Sequence, residues 1–295
     1  MAELITGLKQ AVRAVLSRRV PHAFEGLSAK TRALGIDELL IILSFDCDTP
    51  GDAVAAQALD AQLVRRGIAR SYAVPGQMLL TAAESYGGLA RNGASFLNHG
   101  GRTHAEKQGD RYYAVTFYDQ MTADDVVSDM RVGHRIVSEI IGTAPHGFRA
   151  PHFGSFQRPA QRKLVYDTAR SLGYRFCSDT LPASAYANGP VFDVGGLYEF
   201  PLTASHEDPN IILDSWNYLA SRVDYHMSDD FFRRFASTID FFADRKLPAL
   251  LNFYVDPSHV ANDGYFLNAI DYAMGRGARF AAFEDVLARI GGGPK

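Results

Sequence analysis

From Leu39 to Phe45 the chain is apolar but for Ser44, and it then breaks into Asp46-Cys47-Asp48-Thr49-Pro50. The stretch predicts a buried strand whose C-terminal end carries two carboxylates. Side chains of an extended backbone alternate faces, so Asp46 and Asp48 share one side and Cys47 takes the other. Two like charges at the tip of a hydrophobic strand repel each other and lose hydration, a cost that a cation or a shared proton between them removes. The segment therefore marks the floor of a metal-dependent site, or else a turn in which Asp48 caps the next helix and Asp46 stays solvated.

Further along, predicted strands alternate with predicted helices. Thr49-Pro50-Gly51-Asp52 is turn chemistry opening a helix over about 52–67 that Gly67 closes. Strands are expected near 69–74, 94–97, 146–148, 174–177, 249–255 and 279–282. Thr122 with Asp125 forms a capping-box pattern for a helix to about Ile141 that Gly142 ends, and helices near 159–172 and 229–245 follow. The alternation implies βα units, a largely parallel sheet and right-handed crossovers. Residues 180–227, rich in turn formers, read as an insertion or lid. Residues 1–36 read as an N-terminal helical extension and 37–295 as one domain.

Three more polar clusters follow predicted strands: Asn98 to His104, Arg149 to His152, and Asp256 to His259. In parallel α/β folds ligands sit at the carboxyl ends of the strands, so clusters distant in sequence converge on one cleft.

Composition narrows the function. The 295 residues are 47% hydrophobic and 21% charged, ordinary for a soluble protein, and a net charge of -3 gives no basic field for nucleic acid. Two cysteines, Cys47 and Cys177, are too few for a disulfide framework and suggest a reducing compartment. No apolar run reaches membrane-spanning length and the first residues lack a signal-peptide pattern, so the expected location is the cytoplasm. Leu4, Ile5, Leu8, Val12 and Leu16 recur at helical spacing within residues 2–18, among Lys9 and Arg13. That stripe packs on the domain or on a second copy of the chain, or else rests on the inner face of a membrane.

Ser44-Phe45-Asp46-Cys47-Asp48, then His99 and His104, then Arg149-Ala150-Pro151-His152 resemble, in order, the motifs of the polysaccharide deacetylases, the carbohydrate esterase family of the NodB-homology domain. The resemblance spans about residues 38–285. It implies a distorted (β/α)7-type barrel of mostly parallel strands holding one divalent metal, commonly zinc (Co2+, Ni2+ or Mn2+ being alternatives), and hydrolysing an acyl group on a sugar. By that resemblance Asp46 is the catalytic base, Asp48, His99 and His104 are the metal ligands, and Arg149 pairs with the base. A metal with three protein ligands and an open position polarises the acyl carbonyl and acidifies water, while the free carboxylate accepts the proton. Pro151, His152, Asp214 and Trp216 are assigned to the substrate pocket, Asp214 and Trp216 because Asp214-Ser215-Trp216-Asn217-Tyr218 resembles the family's pocket motif. A buried core position explains Trp216 equally well. Tyr86, Tyr112, Tyr113, Tyr118 and Tyr225 are candidates to stack on sugar rings, or simply packing.

Two departures stand out. The family spaces its histidines four residues apart, which on a helix puts the imidazoles about 40° apart; five residues, as here, puts them about 140° apart. Gly100-Gly101 can absorb the extra residue in an irregular turn, and should His104 not be a ligand, His152 is its substitute. The family's late strand ends in an imidazole that protonates the leaving amine. Here the strand ends in Asp256-Pro257, with His259 two residues on, ranked slightly ahead of Asp256 as the acid.

The reading is a metal-dependent hydrolase removing an N-acetyl or formyl group from an amino sugar, placed in O-antigen or cell-envelope glycan biosynthesis with a nucleotide- or lipid-linked carbohydrate as substrate. Its rivals are a catalytically silent glycan-binding or scaffold relative and a related small-amide hydrolase.

Overall fold

The structure, a computed structural model, describes residues 22–291. The amphipathic stripe within 2–18 lies outside the described residues. In chain order the strands are β1 (Leu39–Asp46), β2 (Ser71–Val74), β3 (Ser95–Asn98), β4 (Ala105–Gln108), β5 (Arg111–Ala114), β6 (Gly147–Phe148), β7 (Phe176–Cys177), β8 (Phe192–Asp193), β9 (Tyr198–Glu199), β10 (Ala204–Ser205), β11 (Asp208–Ile212), β12 (Leu219–Ser221), β13 (His226–Met227), β14 (Ala249–Val255) and β15 (Arg279–Phe280).

Seven of them run parallel in the order β14-β1-β2-β3-β6-β7-β9, with β8 antiparallel on the β9 edge. One edge of β1 is shared: β15 pairs with Leu40 and Ile41, and β2 with Ser44 to Asp46. This curled sheet is the expected distorted barrel. Its remaining gap is bridged by an irregular segment: Phe200 N donates to Cys177 O, Leu202 N to Thr180 O and Thr203 N to Asn252 O, each at 2.9 Å. Asn252 Nδ2 adds bonds to Phe200 O at 2.9 Å and Pro201 O at 3.3 Å.

Residue parity decides what enters the barrel. In β1, Leu39, Ile41, Leu43 and Phe45 pack with Ala56 and Leu63 of helix Pro50–Arg65 and Phe235 and Phe242 of helix Asp229–Asp244. Leu40 and Ile42 instead join Ala73, Leu97, Phe176 and Leu250 inside. Period two then carries Asp46 to the inner, carboxyl-end rim, and in β14 it does the same for Tyr254.

The helix boundaries follow their caps. Thr122 Oγ1 accepts from Asp125 N at 3.1 Å to start helix Ala123–Ile141, and Gly142 at φ 82° ends it in the left-handed region. Pro50 opens helix Pro50–Arg65, where Asp52 closes a capping box with Thr49. The helix over residues 22–33, within the segment read as an extension, buries Phe24 and Leu27 in the outer core. Among the described residues no helix is long and apolar enough to cross a membrane.

The reading of 180–227 as one insertion is corrected. Tyr198 to Thr203 forms barrel wall, and only 204–227, built of the hairpins β10–β11 and β12–β13, rises over the site. Of the strands in this region, β8, β9, β10 and β13 are two residues long, too short to carry a period.

Candidate active site

A cavity of about 300 Å³ opens at the carboxyl ends of the strands. Its acidic lining is Asp46, Asp48, Asp52, Asp214 and Asp256, and its imidazoles are His99, His104, His152 and His259.

Asp46 and Asp48 lie together, as parity required, but with different partners. Asp46 Oδ1 accepts from Arg149 Nη1 at 2.6 Å. Arg149 is fully buried, donates through Nη2 to Ser178 Oγ at 3.0 Å, and lies 5.3 Å from the ring centre of Phe153 and 5.5 Å from that of Tyr254. Ser178 is held in turn by Asn252 Nδ2 at 3.0 Å. The guanidinium therefore cannot swing away from the carboxylate it pairs with.

Asp48 Oδ1 sits 3.5 Å from His99 Nε2 and 3.2 Å from His104 Nδ1. His99 Nδ1 donates to Arg149 O at 2.8 Å, which fixes the ring and leaves Nε2 to face the carboxylates. Burial alone would raise the Asp48 pKa, but the two imidazoles, His104 foremost, outweigh it and hold the carboxyl well below its usual range. Burial and then the neighbouring His99 push His104 down.

The histidine pair is not helical, and the angular argument from helix geometry does not apply. His99 follows β3 directly and His104 precedes β4, with a turn between them and ring centres 4.4 Å apart. Gly100 adopts φ 79°, and a Cβ there would collide with Asp129 Oδ2. Buried Asp129 ties the turn down by accepting from Arg102 N at 2.9 Å and Tyr118 OH at 2.8 Å. His152, the proposed substitute ligand, is committed elsewhere: its Nε2 donates to Val115 O at 2.6 Å and its ring lies 4.5 Å from Phe117.

Ligand atoms of Asp48, His99 and His104 all lie within 4.8 Å of one another, and buried His104 Nε2 has no hydrogen-bond partner. One carboxylate and two imidazoles, one of them oriented through its second nitrogen, form a donor set that fits a divalent cation.

His259 and Asp256 prove to be a pair rather than alternatives. His259 Nδ1 lies 3.1 Å from Asp256 Oδ2 and 3.1 Å from Ser215 Oγ, and Asp256 N donates to Ser215 Oγ at 2.9 Å. Burial pushes His259 down to about 4. Burial and then the surrounding carboxylates, Asp52 first, push Asp256 well up. The two candidates for the acid, His259 and Asp256, thus lie within hydrogen-bond distance of each other and form a coupled pair.

Trp216 is 39% exposed and lines the cavity, which removes the core explanation for it. Asp214 is buried, accepting from Asn217 N at 2.7 Å and Tyr254 OH at 3.0 Å. Pro151 is buried and lies outside the lining; it is His152, at φ 58°, and Phe153 that reach the cavity. Tyr112, Tyr113 and Tyr225 line it too, whereas Tyr86 and Tyr118 are fully buried packing.

Sequence reasoning missed Ser178, Asp179, Ser215 and Tyr254. Asp179 Oδ1 accepts from Ala150 N at 2.6 Å and so holds the loop after Arg149, and Glu199 Oε1 accepts from Asp179 N and Thr180 N at 2.9 Å each. Tyr254 was within reach, since it shares parity with Asp256; the others act through contacts distant in sequence.

No protein-family model matches the chain, and no curated protein matches it in sequence. Solved structures do. A protein assigned as a polysaccharide deacetylase from Mycobacterium smegmatis is similar over 85% of this chain and 90% of its own, with a TM-score of 0.64 and 16% identity. Puue allantoinase follows at 0.62 and 12% identity, over 85% of this chain and 89% of its own. A pseudoenzyme of the CE4 family from Bacillus anthracis reaches 0.53 and 12% identity, over 85% of this chain and 66% of its own. The architecture is that of the α/β barrel of these solved structures. More particularly, the chain shares its fold with structures described as a polysaccharide deacetylase, an allantoinase and a CE4 family pseudoenzyme, and it carries an Asp-His-His donor set at the barrel rim.

Proposed function

We propose that the protein is a metal-dependent amide hydrolase removing an acetyl or formyl group from the nitrogen of an amino sugar. The observation that carries this reading is the division of labour between Asp46, bound by Arg149, and Asp48, flanked by His99 and His104.

A divalent cation, zinc in the first instance, held by Asp48, His99 and His104 supplies Lewis acidity toward the acyl oxygen and toward water. Asp46 keeps Oδ2 free, 3.9 Å from His99 Nε2, and takes the proton of the attacking water. Arg149 fixes the rotamer of that carboxylate through the bond from Nη1 to Oδ1. The Asp256–His259 pair, delivered by the neighbouring β14, returns a proton to the leaving nitrogen. Trp216 walls the side where the acyl group rests.

The test is amine release from N-acetylated and N-formylated amino sugars by protein loaded with zinc, cobalt, nickel or manganese. Metal-dependent release abolished by chelation is expected; no release with any of these ions sinks the reading. A catalytically silent binder is the second reading, favoured by Asp256 standing where a late-strand imidazole would be the direct acid. Purified protein that holds no divalent ion would point to it.

A further inference from the structure

Among the described residues, one other group of ligand-type side chains is as closely set as Asp48, His99 and His104. It consists of Cys177, Asp179 and Glu199, each offering an atom within 4.8 Å of the others. Strand geometry assembles it. Cys177 stands opposite Glu199 in the parallel pairing of β7 with β9, so the two side chains leave the sheet on one face, and Asp179, two residues past Cys177, keeps the same parity. That face is the outer one. Cys177 packs with Phe148, Val165 and Ala169 under helix Pro159–Ser171, whereas Phe176 and Phe200 lie inside and Ser178 turns inward to Arg149. The barrel wall therefore separates this group from the cavity.

Its polar atoms are only half used. Asp179 Oδ1 accepts from Ala150 N at 2.6 Å, and Glu199 Oε1 accepts from Asp179 N, Thr180 N and Thr180 Oγ1, each at 2.9 Å. The second oxygens, Asp179 Oδ2 and Glu199 Oε2, are buried without a hydrogen-bond partner. So is the hydroxyl of Tyr166, a residue 8% exposed that reaches in from the helix and feels the charges of Glu199, Asp179 and Cys177. Arg149 and Arg170 are committed elsewhere, the first to Asp46 and Ser178, the second to Asp167. Orphaned oxygens beside a thiol in a dry interior cost free energy until something positive joins them. A proton bridges two atoms, whereas a divalent cation takes three or four donors at once, and that is the number converging here.

We propose that Cys177, Asp179 and Glu199 form a second, structural site for a divalent cation, zinc by its donors, with the Tyr166 hydroxyl as the fourth. A thiolate among the ligands suits zinc rather than magnesium or calcium. On binding, the thiol gives up its proton to solvent, and the cation reverses the upward push that burial exerts on both carboxyls. The fastening reaches the active site, because Asp179 holds the loop after Arg149 through Ala150 N. The site does not depend on the hydrolase reading.

Cobalt separates the two centres, since only this one has a sulfur ligand. The group is fully buried, so the metal has to enter as the chain folds: the full chain is expressed in zinc-depleted medium with cobalt, and metal content and the near-ultraviolet cobalt–thiolate absorption are measured. About two ions per chain and a clear thiolate band are expected, one for each donor set. Cys177→Ser is expected to lose the band and one ion, His104→Ala to lose one ion and keep the band, and Cys47→Ser to keep the band. Glu199→Gln retains the acceptor for the bonds to Asp179 and Thr180 and is expected to lose most of the band; it decides the matter should Cys177→Ser not fold. One ion and no band overturns the proposal, the two carboxyls then holding a proton instead, and so does a band that survives Cys177→Ser. One ion with the band leaves this site standing and takes the metal away from Asp48, His99 and His104.

Discussion

His99 donates through Nδ1 to the main-chain oxygen of Arg149 at 2.8 Å, while the guanidinium of the same arginine holds Asp46 at 2.6 Å. One residue thus orients a prospective metal ligand with its backbone and the prospective base with its side chain. Ligand and base are set by a single loop, and a shift of that loop moves both.

Replacing Asp46 by Asn keeps the shape and removes the proton acceptor. Turnover of an acylated amino sugar is expected to fall about 10²–10⁴-fold. Zinc content by elemental analysis is expected to stay near that of the parent, because Asp46 is not in the donor set. Unchanged turnover would remove Asp46 from the base role.

Arg149→Ala leaves Asp46 buried without its cation and Ser178 Oγ with only the bond from Asn252 Nδ2. Breaking a buried pair from one side costs about 3–5 kcal/mol, so the urea midpoint is expected to fall sharply. Adding Asp46→Asn in the same chain should recover part of that loss, since the unpaired charge is then gone.

Gly133 lies in helix Ala123–Ile141 against the turn after β3, and a Cβ there would collide with Asn98 Oδ1 and Gly100 O. Gly133→Ala is expected to displace His99 although it touches no prospective ligand. Zinc affinity, measured by competition with a chromophoric chelator, should drop about 10–100-fold, as for other changes that disturb ligand orientation.

Asp214 gives the pH dependence. Burial, partly offset by the bonds from Asn217 and Tyr254, raises it from 3.8 to about 7. The folded chain therefore binds this proton more tightly than the unfolded one. Its contribution to stability is whole below about pH 4 and fades as pH climbs through 7, by at most about 4 kcal/mol. In chelator, Asp214→Asn should flatten that part of the stability profile between pH 4 and 7; an unchanged slope would assign it to another group.

Much of this was legible before any coordinates. β14 was read to the residue and β1 nearly so, because six apolar residues in each, broken once by Asn252 or Ser44 and bounded by polar stops, leave little choice of boundary. Thr122 and Gly142 likewise fixed both ends of a helix. The meeting of Asp48, His99 and His104 followed from strand ends sharing one rim. What stayed hidden was the support beneath them. Asp129, Ser178 and Asp179 look like ordinary loop and helix residues, and their partners are known only once the barrel closes. The five-residue histidine spacing is accommodated by the glycine turn between two strands that Gly100-Gly101 suggested, and the helix angles do not apply to it.

Asn252 closes the barrel wall and, through Ser178, also braces the arginine that grips Asp46. Enclosure and reactivity share one fastening, so slackening of the wall would be felt at the proton acceptor. Exchange of the Thr203 amide, which bonds to Asn252 O, should then keep pace with loss of activity as the chain is warmed.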